Sequence, residues 1–201
     1  MIVYVESNFI LELAYLQEEH ENCGRILKLA ESGKIQLILP AFAIAEPFAA
    51  WVGRKRRREL LHSELTQELR ELGRSEPYVG SREEFKDITK TLLVSGEEEK
   101  SRLDAAIGQI LKESELIAIE ADVIISAIEI QARNRLSPQD SIIYASVLSH
   151  VTEISKEEPK CFITKNSRDF ADPDIVQELL EFGCDLGTNF GEGYGLILKH
   201  L

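Results

Sequence analysis

Apolar and polar positions alternate in blocks along this chain. Ile2-Val3-Tyr4-Val5 is a short unbroken apolar run, the pattern of a strand buried on both faces, and Glu6-Ser7-Asn8 closes it at once. From Asn8 to Glu19, residues Phe9, Leu11, Leu13, Ala14 and Leu16 recur at mostly helical spacing. A second helix is expected over Glu21 to Glu31, with Ile26, Leu27 and Ala30 inward and Gly33 as its stop. Ile35 to Leu39 reads as the second strand. Pro40 then leads into a helix over Phe42 to Glu46 that Pro47 is expected to kink before it runs on through Trp51 toward Leu72. Gly73, Pro77 and Gly80 punctuate a break. Arg82 to Ser114 is charged and amphipathic, with an interruption at Ser95-Gly96. Ile117 to Arg133 reads as a helix, its Ile and Val content leaving strand as the alternative. Ser137 and Pro138 are the cap and first residue of a further helix, with Ile142, Ile143, Ala145 and Ser146 facing the sheet. Lys160 to Thr164 is the third strand, Asp174 to Phe182 a helix and Cys184 to Leu186 a short fourth strand. The tail from Gly191 to Leu201 is Gly-rich, then apolar. Strands alternating with helices specify an α/β fold with a parallel sheet.

That expectation gives four acids a common address. Open parallel sheets bind ligands outside the carboxyl ends of their strands. Glu6 follows the first strand, Glu46 the second and Asp169 the third, while Asp140 opens a helix in Ser137-Pro138-Gln139-Asp140. Taken one at a time, Asp140 is explained by helix capping, Glu46 by an exposed helix face and Asp169 by a turn. Glu6 has few structural reasons to end an apolar strand. Together they point to a divalent-metal site, because clustered carboxylates repel unless a cation neutralises them and are the natural ligands of hard cations. Glu6, Asp140 and Asp169 are assigned as metal ligands, and Glu46 as a ligand of a second ion or an orienter of water. Ser7, Asn8, Thr164 and Asn166 are the neutral groups that would position them.

Composition narrows the partners. The chain has 201 residues, 44% of them hydrophobic, enough for one core or one core with a helical extension. A net charge of −12 argues against a general nucleic-acid-binding surface. One cationic block exists, Arg54-Lys55-Arg56-Arg57-Arg58. It reads either as a solvated helix face pairing with Glu59 and Glu64, or as a contact to an RNA backbone or an oligomer contact near the mouth of the site. Cys23, Cys161 and Cys184 lack ligand spacing and are expected to be buried thiols, and the four His residues show none either. Trp51 with Phe48 reads as core or interface. There is no membrane-length apolar run and no apolar leader, so a reduced cytoplasm is expected.

Four motifs in order carry a resemblance: Val5 to Phe9, Pro40 to Glu46, Ser137 to Ile143 and Phe162 to Phe170. Over residues 1 to about 53 and about 115 to 185 the chain resembles the PIN domain, a family of ribonuclease toxins and RNA-processing nucleases. Glu6-Ser7-Asn8 matches the family's opening motif with Glu where Asp is usual. Thr164 to Phe170 matches its last, with Lys165 where Arg is usual. The resemblance implies a three-layer α/β PIN-like fold over residues 1–201 with a central parallel sheet and a helical insertion at about 54–114. It also implies an endoribonuclease dependent on Mg²⁺ or Mn²⁺. An RNA substrate, a small antitoxin protein and a homodimer are the partners that follow. The alternative is a catalytically attenuated PIN-like module for protein or RNA interaction. A phosphoacceptor receiver fits poorly, since Leu39-Pro40-Ala41 offers no acid closing a middle strand.

Overall fold

The computed structural model describes residues 1–78 and 86–201. Gly80 and Arg82, boundaries of the expected break and amphipathic segment, lie outside the described residues. The strands are β1 (Ile2–Val5), β2 (Gln36–Pro40), β3 (Ser114–Ile117), β4 (Lys160–Ile163) and β5 (Cys184–Gly187). The helices are α1 (Ser7–Tyr15), α2 (His20–Glu31), α3 (Ala45–Leu72), α4 (Lys86–Glu113), α5 (Ala121–Asn134), α6 (Pro138–Glu153), α7 (Ser167–Phe170), α8 (Pro173–Glu181) and α9 (Phe190–Leu198). A 3₁₀ turn, Ala41–Ile44, joins β2 to α3.

All five strands are parallel, in the order β3-β2-β1-β4-β5. The chain lays strands to one side of β1 first and to the other side afterwards, so the order reverses between β1 and β4. Parallel crossovers are right-handed, so reversing the direction of travel moves the connecting helices to the opposite face. The contacts agree. Helices α1, α2, α4 and α9 pack together as one layer, and α5 packs on α6 in the other. The central strands are covered on both faces, and every residue of β1 and β4 is buried.

Several local outcomes differ from the sequence expectations. The sheet has a further strand, β3, where the end of the amphipathic segment and the start of a helix were expected, and α5 begins only at Ala121. Pro47 does not kink a helix. It falls in the first turn of α3, where backbone N–H groups have no intrahelical acceptor to lose. Helix α4 runs through Ser95-Gly96 without a break. The glycine-rich tail forms α9, and there Gly193 has a purpose. A Cβ at Gly193 would lie 2.5 Å from Ile163 Cδ1, so only Gly lets α9 settle on β4.

The 54–114 segment is partly core. Helix α4 returns along α3, with Lys100 over Trp51 and Lys55 against Glu97. Further along, Leu103, Ile107 and Ile110 of α4 are buried in the main core against α1. Among the described residues no helix is long and apolar enough to cross a membrane.

Candidate active site

The carboxyl ends of β1 and β4 flank the point where strand order reverses, the place where an open α/β sheet leaves a crevice. Glu6 and Thr164 are the residues that leave these two strands. Glu6 is extended, at φ −127° and ψ −172°, and caps α1: its Oε2 accepts the Asn8 backbone N–H at 2.8 Å. Across the reversal point, Thr164 Oγ1 donates to Glu6 Oε1 at 3.2 Å, and the Lys165 N–H approaches the same oxygen at 3.4 Å.

From Glu6 a hydrogen-bonded chain runs both ways. Ser7 Oγ lies 3.0 Å from Glu6 Oε2 and 2.5 Å from Glu46 Oε2, so its one proton is placed between two carboxylates. On the other side, Thr164 Oγ1 accepts the Asn166 backbone N–H at 2.9 Å. The Asn166 side-chain amide then donates to Asp169 Oδ2 at 2.8 Å and faces Asp140 Oδ1 at 3.3 Å. Asp140 is fixed from behind as well. Ser137 caps α6, accepting the Asp140 N–H at 3.1 Å and donating to Asp140 Oδ2 at 2.6 Å, a reciprocal cap that leaves Oδ1 toward Asn166. Glu6, Ser7, Glu46, Thr164, Asn166, Asp140 and Asp169 thus form one network built from four separate parts of the chain, with Asn8 contributing its main chain.

The acids differ in environment. Glu46 is exposed, Asp140 and Asp169 are half-buried, and Glu6 is 2% exposed. Burial pushes the Glu6 carboxyl above its ordinary range, and the hydrogen bonds from Asn8, Ser7 and Lys165 work against that shift. Lys165 was matched only to a motif position. Its Nζ donates to buried Glu12 at 2.5 Å and to exposed Glu18 at 2.8 Å, and these bonds hold the ammonium well above the usual lysine range. That anchors the turn whose N–H approaches Glu6. Glu12 of α1 and Glu18 beyond its end had no sequence signal, because their shared partner Lys165 is 153 and 147 residues away.

For a divalent cation the fit is divided. Asp140 and Asp169 could supply hard oxygen ligands around a shared neutral donor, and magnesium is commonly held by one or two carboxylates with waters and substrate phosphate completing its shell. Among the described residues no three His, Cys, Asp or Glu side chains converge on one point. Glu6, expected from the sequence to be a ligand, has both oxygens turned onto protein donors.

The basic run is mostly turned inward. Arg58 forms a two-pronged pair with Glu99 of α4, at 2.8 and 2.7 Å, and Arg54 joins the same carboxylate at 3.0 Å. Arg54 also lies over the Tyr15 ring, and Lys55 pairs with Glu97. The partners come from α4, across the hairpin, where Glu59 and Glu64 of the same helix were expected. Arg56 and Arg57 are exposed.

Comparison with known proteins adds a family. The PIN domain family model matches residues 3–170. The crystal structure of VapBC2 from Rickettsia felis bound to a DNA fragment from its promoter is similar over 92% of this chain and 98% of the matched chain, at 12% identity and a TM-score of 0.46. No curated protein matches the sequence.

Proposed function

The chain belongs to the PIN domain family, and on that premise we propose that it is a divalent-metal-dependent endoribonuclease hydrolysing RNA phosphodiester bonds. Members of the family generally use divalent metal ions. The observation that carries the proposal is the single network joining Glu46, Glu6, Asp140 and Asp169 through Ser7, Thr164 and Asn166 at the switch of the sheet.

The residues divide the work. Asp140 and Asp169 are the cation-facing acids. A bound Mg²⁺ or Mn²⁺ supplies charge stabilisation and a water of lowered pKa. Asn166 keeps the two carboxylates oriented and separated through one neutral amide, without adding a charge that competes with the ion. Ser137 fixes Asp140 from behind. Glu46, open to solvent and tethered by Ser7, is placed to accept a proton from an attacking water. No covalent enzyme intermediate is required, since water is the nucleophile.

A toxin role, a small antitoxin partner and a homodimer follow from the family resemblance alone and belong to the same proposal, as does a cytoplasmic site of action. Cleavage of single-stranded RNA by the purified protein tests the core of it. Activity should require Mn²⁺ or Mg²⁺, vanish with chelator, and drop at least about a hundredfold in Asp140→Asn and Asp169→Asn, the scale seen when a group acting on developing charge is removed. Cleavage unchanged by both substitutions refutes the assignment. Folded protein that neither binds Mn²⁺ nor cleaves any RNA supports the interaction-module alternative, which the inward-facing Glu6 carboxylate also favours.

A further inference from the structure

Glu6 is the one acid of the set that is buried, at 2% exposed. A carboxylate offers about four lone-pair positions, and four polar groups stand against this one: the Asn8 and Lys165 backbone N–H groups and the Ser7 and Thr164 hydroxyls. They come from both sides of the sheet's reversal point, 158 residues apart in sequence for the Thr164 contact. The side chain must turn back on its own helix to meet Asn8 and still span to β4. The extra methylene of Glu over Asp supplies that reach.

Each segment held by Glu6 leads directly to another acid of the network. The start of α1 carries Ser7, which touches Glu46. The turn after β4 carries Thr164, whose hydroxyl is shared between Glu6 and the Asn166 N–H, and Asn166 bridges Asp140 and Asp169. The turn is fastened a second time by Lys165, whose ammonium is anchored on Glu12 and Glu18.

We propose that Glu6 is a positioning residue that does not ligate the cation: it clamps the first turn of α1 to the Thr164–Lys165 turn and, through Asn166, sets the orientation of the Asp140–Asp169 pair. This rests on the nuclease reading, in which Asp140 and Asp169 hold the ion.

Mn²⁺ titration without RNA, followed by the signal of free Mn²⁺, separates clamp from ligand. Glu6→Gln should bind Mn²⁺ within about threefold of wild type, while Asp140→Asn and Asp169→Asn weaken binding by about tenfold or more. A coupling cycle in cleavage then tests the route. Glu6→Gln should lower kcat about tenfold in the wild-type background and less than about twofold in the Asn166→Ala background, because both changes break one pathway. A purely structural role predicts equal losses in the two backgrounds, and that result overturns the proposal. So does a loss of Mn²⁺ affinity in Glu6→Gln equal to that in Asp140→Asn. Should Glu6→Gln not fold, Glu6→Asp replaces it. It keeps a charge and a cap but not the span, so the expected result is slower turnover at unchanged Mn²⁺ affinity, and equal or faster turnover overturns the proposal. Wild-type protein that binds no Mn²⁺ and cleaves no RNA brings down the nuclease reading itself, an outcome distinct from a ligating Glu6.

Discussion

Replacing Arg58 by Ala tests whether the basic run holds the hairpin or contacts RNA. Glu99 is 6% exposed and takes two hydrogen bonds from Arg58 and one from Arg54. Removing one partner of a buried ion pair costs about 3–5 kcal/mol when a charge is left uncompensated. Here Arg54 remains, and the Arg58 side chain is 22% exposed, so partial solvation reduces the cost to about 2–3 kcal/mol, near that of charged hydrogen bonds. For a chain of this length each kcal/mol moves Tm by about 2–4 °C, so Arg58→Ala should melt about 4–12 °C lower. Arg56→Ala with Arg57→Ala, both on the exposed face, should stay within about 0.5 kcal/mol per site. Differential scanning calorimetry reads the first effect, and RNA-binding titrations over a range of salt read the second. Loss of a phosphate contact lowers the log–log salt slope by about 0.7 for a single strand. The slope should fall in the Arg56/Arg57 double variant and hold in Arg58→Ala. A salt slope that drops in Arg58→Ala with Tm unchanged refutes the reasoning.

The same cluster predicts a pH dependence. Burial raises the Glu99 carboxyl, but the Arg58 hydrogen bonds and the charges of Arg54 and Arg58 outweigh that and hold it below its ordinary value. Its contribution is therefore complete above the unfolded carboxyl range and is lost as pH falls through the depressed folded value. Arg58→Ala should flatten that acid limb in urea titrations, and an unaltered limb contradicts the assignment. Asn166→Ala, which removes the donor between Asp140 and Asp169, should cut kcat about 10–100-fold while Tm moves by no more than about 2 °C; steady-state cleavage and a melt on the same sample decide it. Gly193→Ala should cost about 1–3 kcal/mol, because its Cβ meets Ile163 atoms at 2.5–2.7 Å; an unchanged denaturation midpoint means that α9 is not in tight contact.

The strands that could be read from the sequence are the ones the core covers. Ile2–Val5 and Lys160–Ile163 are buried at every position, and a wholly apolar setting leaves an apolar run in the sequence. β3 could not be read in that way. It is an edge strand with Glu115 and Leu116 exposed, directly continuous with a charged helix, so neither alternation nor a turn marks it. α9 was obscured by its glycines, of which Gly193 meets a packing demand that only the fold creates. The acids were legible because each follows a readable element. The inward turn of Glu6 was not, since its partners Thr164 and Lys165 depend on β1 and β4 being neighbours. The Arg58–Glu99 pair spans 41 residues and a helix reversal, whereas sequence periodicity speaks only for residues a turn or two apart.

The position of the site at the reversal of strand order also has a consequence in time. Glu6 is translated 158 residues before Thr164, its contact on the far side of the reversal. At about 5–20 residues per second, roughly 8–30 s of synthesis separates the two. During that interval the growing chain gains β2 and the α3–α4 hairpin but has neither Asn166 nor Asp169. On the proposed nuclease reading, the active site therefore stays incomplete until Asn166 and Asp169 have been translated.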